Sequence, residues 1–177
     1  MPTRIALLRA INVGGVTVPM AELRSFFEKL GFASVRTLLQ TGNVVFETAQ
    51  RGDLEKLLEA EAAKRLRLAT DFLVRDPAEW NAILDHNPFA KMAKEDPARL
   101  VVMPLKHAPT AAGIATLRAA IPGREQIAPG ARHLYITYPD GQGRSRLNLK
   151  LIESKLGTRG TARNWNTARK ILELAGE

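Results

Sequence analysis

Three short stretches hold the residues best suited to chemistry. The first is Tyr138-Pro139-Asp140-Gly141-Gln142-Gly143-Arg144-Ser145-Arg146. It reads as a strand running into a glycine-bearing loop and then into a helix over Ser145–Leu156, with Ser145 as the N-cap. A helix start offers unpaired N–H donors and the positive end of a dipole. Gly141 and Gly143 let a ligand approach the backbone, and Arg144 and Arg146 suit an anion that accepts paired hydrogen bonds. The Gly-Lys-Ser/Thr signature of a P-loop is absent, so neither ATP nor GTP is specified. The plain alternative is a Pro-Asp-Gly turn followed by a capped helix.

The second stretch is Thr161-Ala162-Arg163-Asn164-Trp165-Asn166-Thr167. Asparagine is a poor helix-interior residue, a good cap and a two-ended hydrogen-bonder. Arg163, Asn164 and Asn166 therefore read as a polar cluster, with Trp165 as a core anchor. The third stretch is Arg9-Ala10-Ile11-Asn12-Val13-Gly14-Gly15, where an arginine closes an apolar strand. Arg9 and Asn12 are candidate ligand contacts, or else parts of a strand-to-helix turn. Asn43, in Gln40-Thr41-Gly42-Asn43, is a further candidate at a hairpin tip.

Other chemistries are poorly served. There is no cysteine, which removes thiol catalysis, disulfides and cysteine-ligated metal. His86, His107 and His133 show no metal-ligand spacing, and no metal or cofactor is implied. Ser145 lacks the glycine two residues on that a nucleophile elbow needs. No carboxylate pair stands out as an acid–base couple.

Charge points to the same C-terminal region. The 177-residue chain has a net charge of +8. Residues 142–170 carry eight basic residues against one acid, Glu153, a net of +7 in 29 positions. A local excess of this kind suits an anionic partner, although a solvated face would also show it. No apolar run reaches the roughly 20 residues that cross a bilayer, and the N-terminus lacks a signal-peptide pattern. We expect a cytoplasmic protein with no membrane partner. Oligomeric state is not legible.

The elements that must hold these residues read as α+β. Arg4–Ala10 is a strand, a helix follows Pro19 and stops at Gly31, and Val35–Leu39 and Val44–Glu47 form a hairpin. Asp53 caps a second helix and Thr70–Val74 is a closing strand, giving the β-α-β-β-α-β order of a ferredoxin-like unit. A helix from Asp76-Pro77 and a polar linker, Lys91–Pro97, come next. The second half repeats part of that order: strand Leu100–Leu105, helix Thr110–Ile121, strands Glu125–Ala128 and Leu134–Tyr138, then helix Ser145–Leu156. A last helix near Asn164–Leu174 stands where a fourth strand would be. The expectation is two ferredoxin-like (βαββα-type) halves with an added C-terminal helix, divided into subdomains 1–90 and 91–177.

Several of these stretches together resemble a mainly bacterial family, the domain-of-unknown-function family 1697. The matching pieces are Leu7–Gly15, Val18–Arg24, Leu30–Phe46, Asn87-Pro88-Phe89 and Tyr138–Thr167. The family pattern commonly has Gly at Ala10, Ser at Thr41 and Lys at Arg146. The last exchange keeps the charge and alters donor geometry. The resemblance implies an α+β fold of ferredoxin-like halves and no particular activity, cofactor or substrate. Three readings follow: a binder of a phosphate-bearing ligand such as a nucleotide or nucleic acid; an enzyme acting on a small anionic or nucleotide-like substrate; or an interaction or scaffold protein whose polar motifs are caps and turns.

Overall fold

The computed structural model describes residues 1–9, 17–39 and 41–176. The chain divides into two compact units, residues 1–81 with 171–177, and residues 82–170.

The first unit runs β1 (Thr3–Leu8), α1 (Met20–Lys29), β2 (Ala33–Leu38), β3 (Asn43–Glu47), α2 (Leu54–Leu66) and β4 (Phe72–Arg75). Its antiparallel sheet has the order β2-β3-β1-β4, the ferredoxin-like arrangement. Pro19 precedes α1, and Gly31 takes φ +86° just beyond the helix, a conformation that costs a residue without Cβ little. The helical spacing of Leu23, Phe26 and Phe27 turns all three into the core, where Phe27 meets Phe46 edge-on at 5.0 Å. Asp53 caps α2 by accepting from Lys56 N at 3.0 Å. Ile5, Ala6, Leu7 and Leu8 are all buried, so β1 is covered on both faces and reads as an unbroken apolar run.

α3 (Pro77–Asp85) follows β4. Residues 91–97, expected as a polar linker, instead form α4 (Ala90–Glu95) and a short 3-10 turn, Pro97–Arg99. Lys, Met, Ala and Glu are good helix formers, and polarity alone was a poor guide to loop.

The second unit runs β5 (Leu100–Pro104), α5 (Ala111–Ala120), β6 (Gln126–Pro129), β7 (His133–Thr137), α6 (Leu149–Leu156) and β8 (Arg163–Asn164), before α7 (Trp165–Ala175). Its sheet order, β6-β7-β5-β8, reproduces that of the first unit strand for strand. The expected missing fourth strand is therefore present. It is two residues long, pairing Arg163 with Val102 and Asn164 with Val101, too short for any periodicity to show. Gly160 fits tightly beside it: a Cβ there would meet Pro104 O at 2.4 Å.

The helix expected from Ser145 starts later. Residues 142–144 form a 3-10 turn, Ser145 is extended, and α6 begins after Asn148, whose side chain accepts from Leu151 N at 2.9 Å. Asparagine at that position outcompetes the serine three residues earlier because its carbonyl reaches the third helical N–H.

Candidate anion-binding site

The loop after β7 is pinned along its length. Tyr138 N donates to Arg99 O at 2.8 Å, and Gly141 N returns to Tyr138 O at 2.9 Å with φ +88° at Gly141. The buried Tyr138 hydroxyl donates to Leu147 O at 2.9 Å and so ties the two ends together. Burial, with the nearby charge of Glu125, pushes the Tyr138 pKa up to about 12, so the phenol stays a donor. Arg124 Nε donates to Asp140 Oδ2 at 3.1 Å, and this contact holds the exposed Asp140 carboxyl below the usual carboxylate range. Arg99 donates to Pro139 O.

Ser145 is not the helix cap but a brace. Its hydroxyl donates to Glu125 Oε1 and accepts from Leu147 N at 3.0 Å. On either side of it, Arg144 and Arg146 are exposed, as is Gly143. The loop therefore presents two guanidinium groups from a fixed backbone, which lowers the ordering cost of binding an anion. The helix start expected at Ser145 is not there: α6 begins at Leu149, and Asn148 already serves the Leu151 N–H.

The second stretch splits into buried and exposed members. Arg163 is buried on β8, and its guanidinium donates to Thr161 Oγ1 at 2.7 Å and to Ala162 O at 2.9 Å. Burial lowers its pKa to about 10, which still leaves it charged at neutral pH. Asn164 is exposed and caps α7, accepting from Thr167 N at 2.9 Å. Asn166 is exposed in the first turn of α7, and Trp165 is buried, as its core assignment requires.

Strand register brings these two stretches to one end of the second sheet. β7 ends where Thr137 faces Leu100, and β8 ends where Asn164 faces Val101. The Tyr138 loop and α7 thus leave from strands on either side of β5, about 10 Å apart at the usual strand spacing.

In the first unit, Arg9 continues the β1–β4 ladder through its N–H to Asp71 O at 3.0 Å, and its carbonyl accepts from Thr70 Oγ1. Asn43 is buried, and its amide NH2 donates to Leu38 O and to Thr41 Oγ1, both at 2.8 Å. It closes the hairpin from inside. Asn12 and the Gly14-Gly15 pair lie outside the described residues.

Two arrangements were not read from sequence. The sequence puts Glu125 at the start of a strand and gives no sign that it meets Ser145. Arg75, in β4, is fully buried against Glu55 at 3.3 Å and Glu79 at 3.5 Å. The i,i+4 spacing of Arg75 and Glu79 was visible in the sequence, but the helix register of Glu55 against β4 was not. Among the described residues no group of carboxylates and histidines is arranged to hold a metal, and no helix is long and apolar enough to cross a membrane.

A family model described as "Protein of unknown function (DUF1697)" matches residues 1–135. The chain belongs to this family. The matched span stops before the Tyr138 loop and β8. A solved structure, that of the conserved bacterial protein SP0830 from Streptococcus pneumoniae, is similar over 98% of this chain and 98% of that one, at 22% identity and a TM-score of 0.78. At that identity the likeness speaks for a shared fold. No curated protein matches the sequence.

Proposed function

We propose that this DUF1697 protein binds a phosphate-bearing ligand, nucleic acid foremost, at the end of the second sheet from which the Tyr138 loop and α7 depart. Arg144 and Arg146 are the primary phosphate contacts, with Gly141, Gly143 and Ser145 shaping the loop and Asn164 and Asn166 beside it. Arg163 acts from the interior by bracing Thr161 and Ala162, just ahead of β8. Arg9, Asn12 and Asn43 belong to the first unit and have no part in this proposal.

The observation that carries this reading is where the charge of residues 142–170 goes. Seven of the eight basic side chains, Arg163 being the exception, are exposed. The one acid, Glu153, accepts from Gly160 N at 2.9 Å, and the segment keeps its net charge of +7. A phosphate backbone meeting these exposed cations releases counterions, so affinity should fall steeply with salt.

The test is fluorescence anisotropy with a labelled single-stranded oligonucleotide, titrated between about 50 and about 200 mM salt. Each phosphate contact to a single strand contributes about −0.7 to the slope of log K against log salt. Arg144→Ala and Arg146→Ala should each flatten the slope by roughly that amount and weaken binding across sequences alike. No binding at low salt, or binding indifferent to salt, would sink the proposal.

A further inference from the structure

The Asn87-Pro88-Phe89 motif has no part in the site above, yet the fold gives it a defined task. Asn87 Oδ1 accepts from Phe89 N at 2.9 Å, an Asx turn, and Phe89 O accepts from Ala93 N at 3.0 Å. Proline in between restricts the turn further. Phe89 is thus fixed at the start of α4 and half-buried.

Phe89 lines two adjoining depressions of about 400 and about 430 Å³, and so does the exposed Gln126 of edge strand β6. Each falls in the size range of small-molecule sites. One of them reaches Glu125, which holds Ser145 between Arg144 and Arg146; the other reaches Pro139, at the start of the same loop. The groove therefore opens beside the arginine loop.

Charge separates the two neighbours. In the groove the lining cations Arg118, Lys91 and Arg124 are matched in number by the carboxylates Glu125, Glu95 and Asp96, so it carries no net charge. The loop's Arg144 and Arg146 have no such offset among the described residues. A neutral groove with an aromatic wall and an amide suits an uncharged, flat, hydrogen-bonding ring. The adjoining basic loop suits the phosphate that carries such a ring. Aromatic side chains stack on bases of any sequence, and a glutamine amide can both donate to and accept from a base edge.

We infer that the Phe89–Gln126 groove is a base pocket for single-stranded nucleic acid whose phosphates lie on Arg144 and Arg146. The inference rests on the phosphate-binding reading above. It moves base recognition from the strand faces used by ferredoxin-like RNA binders, here filled by aliphatic Leu7, Leu8, Val44 and Val45, to an edge strand and its flanking helix.

The test compares a labelled oligoadenylate with an abasic strand of equal phosphate number. Wild type should hold the oligoadenylate about tenfold more tightly, the order expected of one stacked base. Phe89→Ala should remove that advantage, leave abasic binding and its salt slope unchanged, and be rescued by Phe89→Tyr. Gln126→Ala, at an exposed position, should reduce the advantage without touching the fold, which a thermal melt verifies for every variant. Equal affinity for both strands, with no effect of Phe89→Ala, overturns the base pocket and leaves the phosphate site standing. Failure of wild type to bind either strand at low salt overturns both. Competition by free adenosine monophosphate as strong as by the oligoadenylate overturns the strand in favour of a mononucleotide.

Discussion

Replacing Glu55 by alanine should destabilise the first unit by about 3 kcal/mol, by removing two interactions from one carboxylate. β4 is an edge strand, and Phe72 and Val74 point their N–H groups away from β1. Glu59 Oε1 accepts from Phe72 N at 3.0 Å and Glu55 Oε1 from Val74 N at 2.8 Å, so α2 covers the edge with carboxylates. Glu55 also stands 3.3 Å from the buried Arg75 guanidinium. Losing a hydrogen bond to a charged acceptor costs about 1.5 kcal/mol at the low end. Breaking a buried ion pair costs about 3–5 kcal/mol, and roughly half of that applies while Glu79 remains at Arg75 and the Glu55 side chain keeps some solvent contact. Glu55→Gln keeps an acceptor for Val74 and should cost about half as much as the alanine. In an Arg75→Met background the charge to be compensated is gone, so Glu55→Ala should cost only the hydrogen bond. The double-mutant cycle should then show a coupling of about 1–2 kcal/mol. Urea unfolding followed by circular dichroism measures each corner of the cycle. A cost below about 1 kcal/mol for Glu55→Ala, or additive single mutants, would refute the assignment of Glu55 to both partners.

The same structure fixes the behaviour of the tyrosines, of Gly160 and of the start of α6. The chain has two tyrosines, and burial pushes both Tyr135 and Tyr138 up to about 12. The folded state thus holds these protons more tightly than the unfolded chain, whose tyrosines titrate near 10. Their stabilising contribution is intact below about pH 10 and is lost as pH rises toward about 12. An ultraviolet titration should show no native tyrosinate near pH 10, and half-ionisation there would contradict the burial. Gly160→Ala should lower stability by about 1–3 kcal/mol, because its Cβ would strike backbone at Pro104; an unchanged melting temperature would deny that close approach. Asn148→Ala should cost about 1 kcal/mol through loss of the α6 cap. Ser145→Ala should leave the helicity of α6 unchanged, and a fall in helicity would restore Ser145 as the cap.

Much of the fold was legible because local rules and tertiary packing agree. The apolar run of β1, the Leu23-Phe26-Phe27 face of α1, the Asp53 cap and the turn before Asn43 each follow from side-chain chemistry within a few residues. Where the structure departs, the deciding partner lies far along the chain. β8 is a strand because Val102 and Val101 pair with Arg163 and Asn164 from 61 and 63 residues away, and nothing in two residues can announce that. α4 looked like a linker because its good helix formers are also polar. Ser145 looked like a cap because the sequence does not show that Glu125 is its partner.

The candidate site divides along the same line. Composition and spacing alone identified the exposed arginines of the Tyr138 loop and the asparagines around Trp165, since charge excess and poor helix formers are local properties. Only the tertiary structure decided what each one does. It buried Arg163, spent the Asn43 amide on a hairpin, and made Asn164 a cap. It also set the ends of β7 and β8 on either side of β5 and put Phe89 in a groove that reaches Glu125 and Pro139. Side-chain chemistry belongs to the residue. Which side chains share a surface depends on strand register, which pairs residues that sequence spacing does not relate.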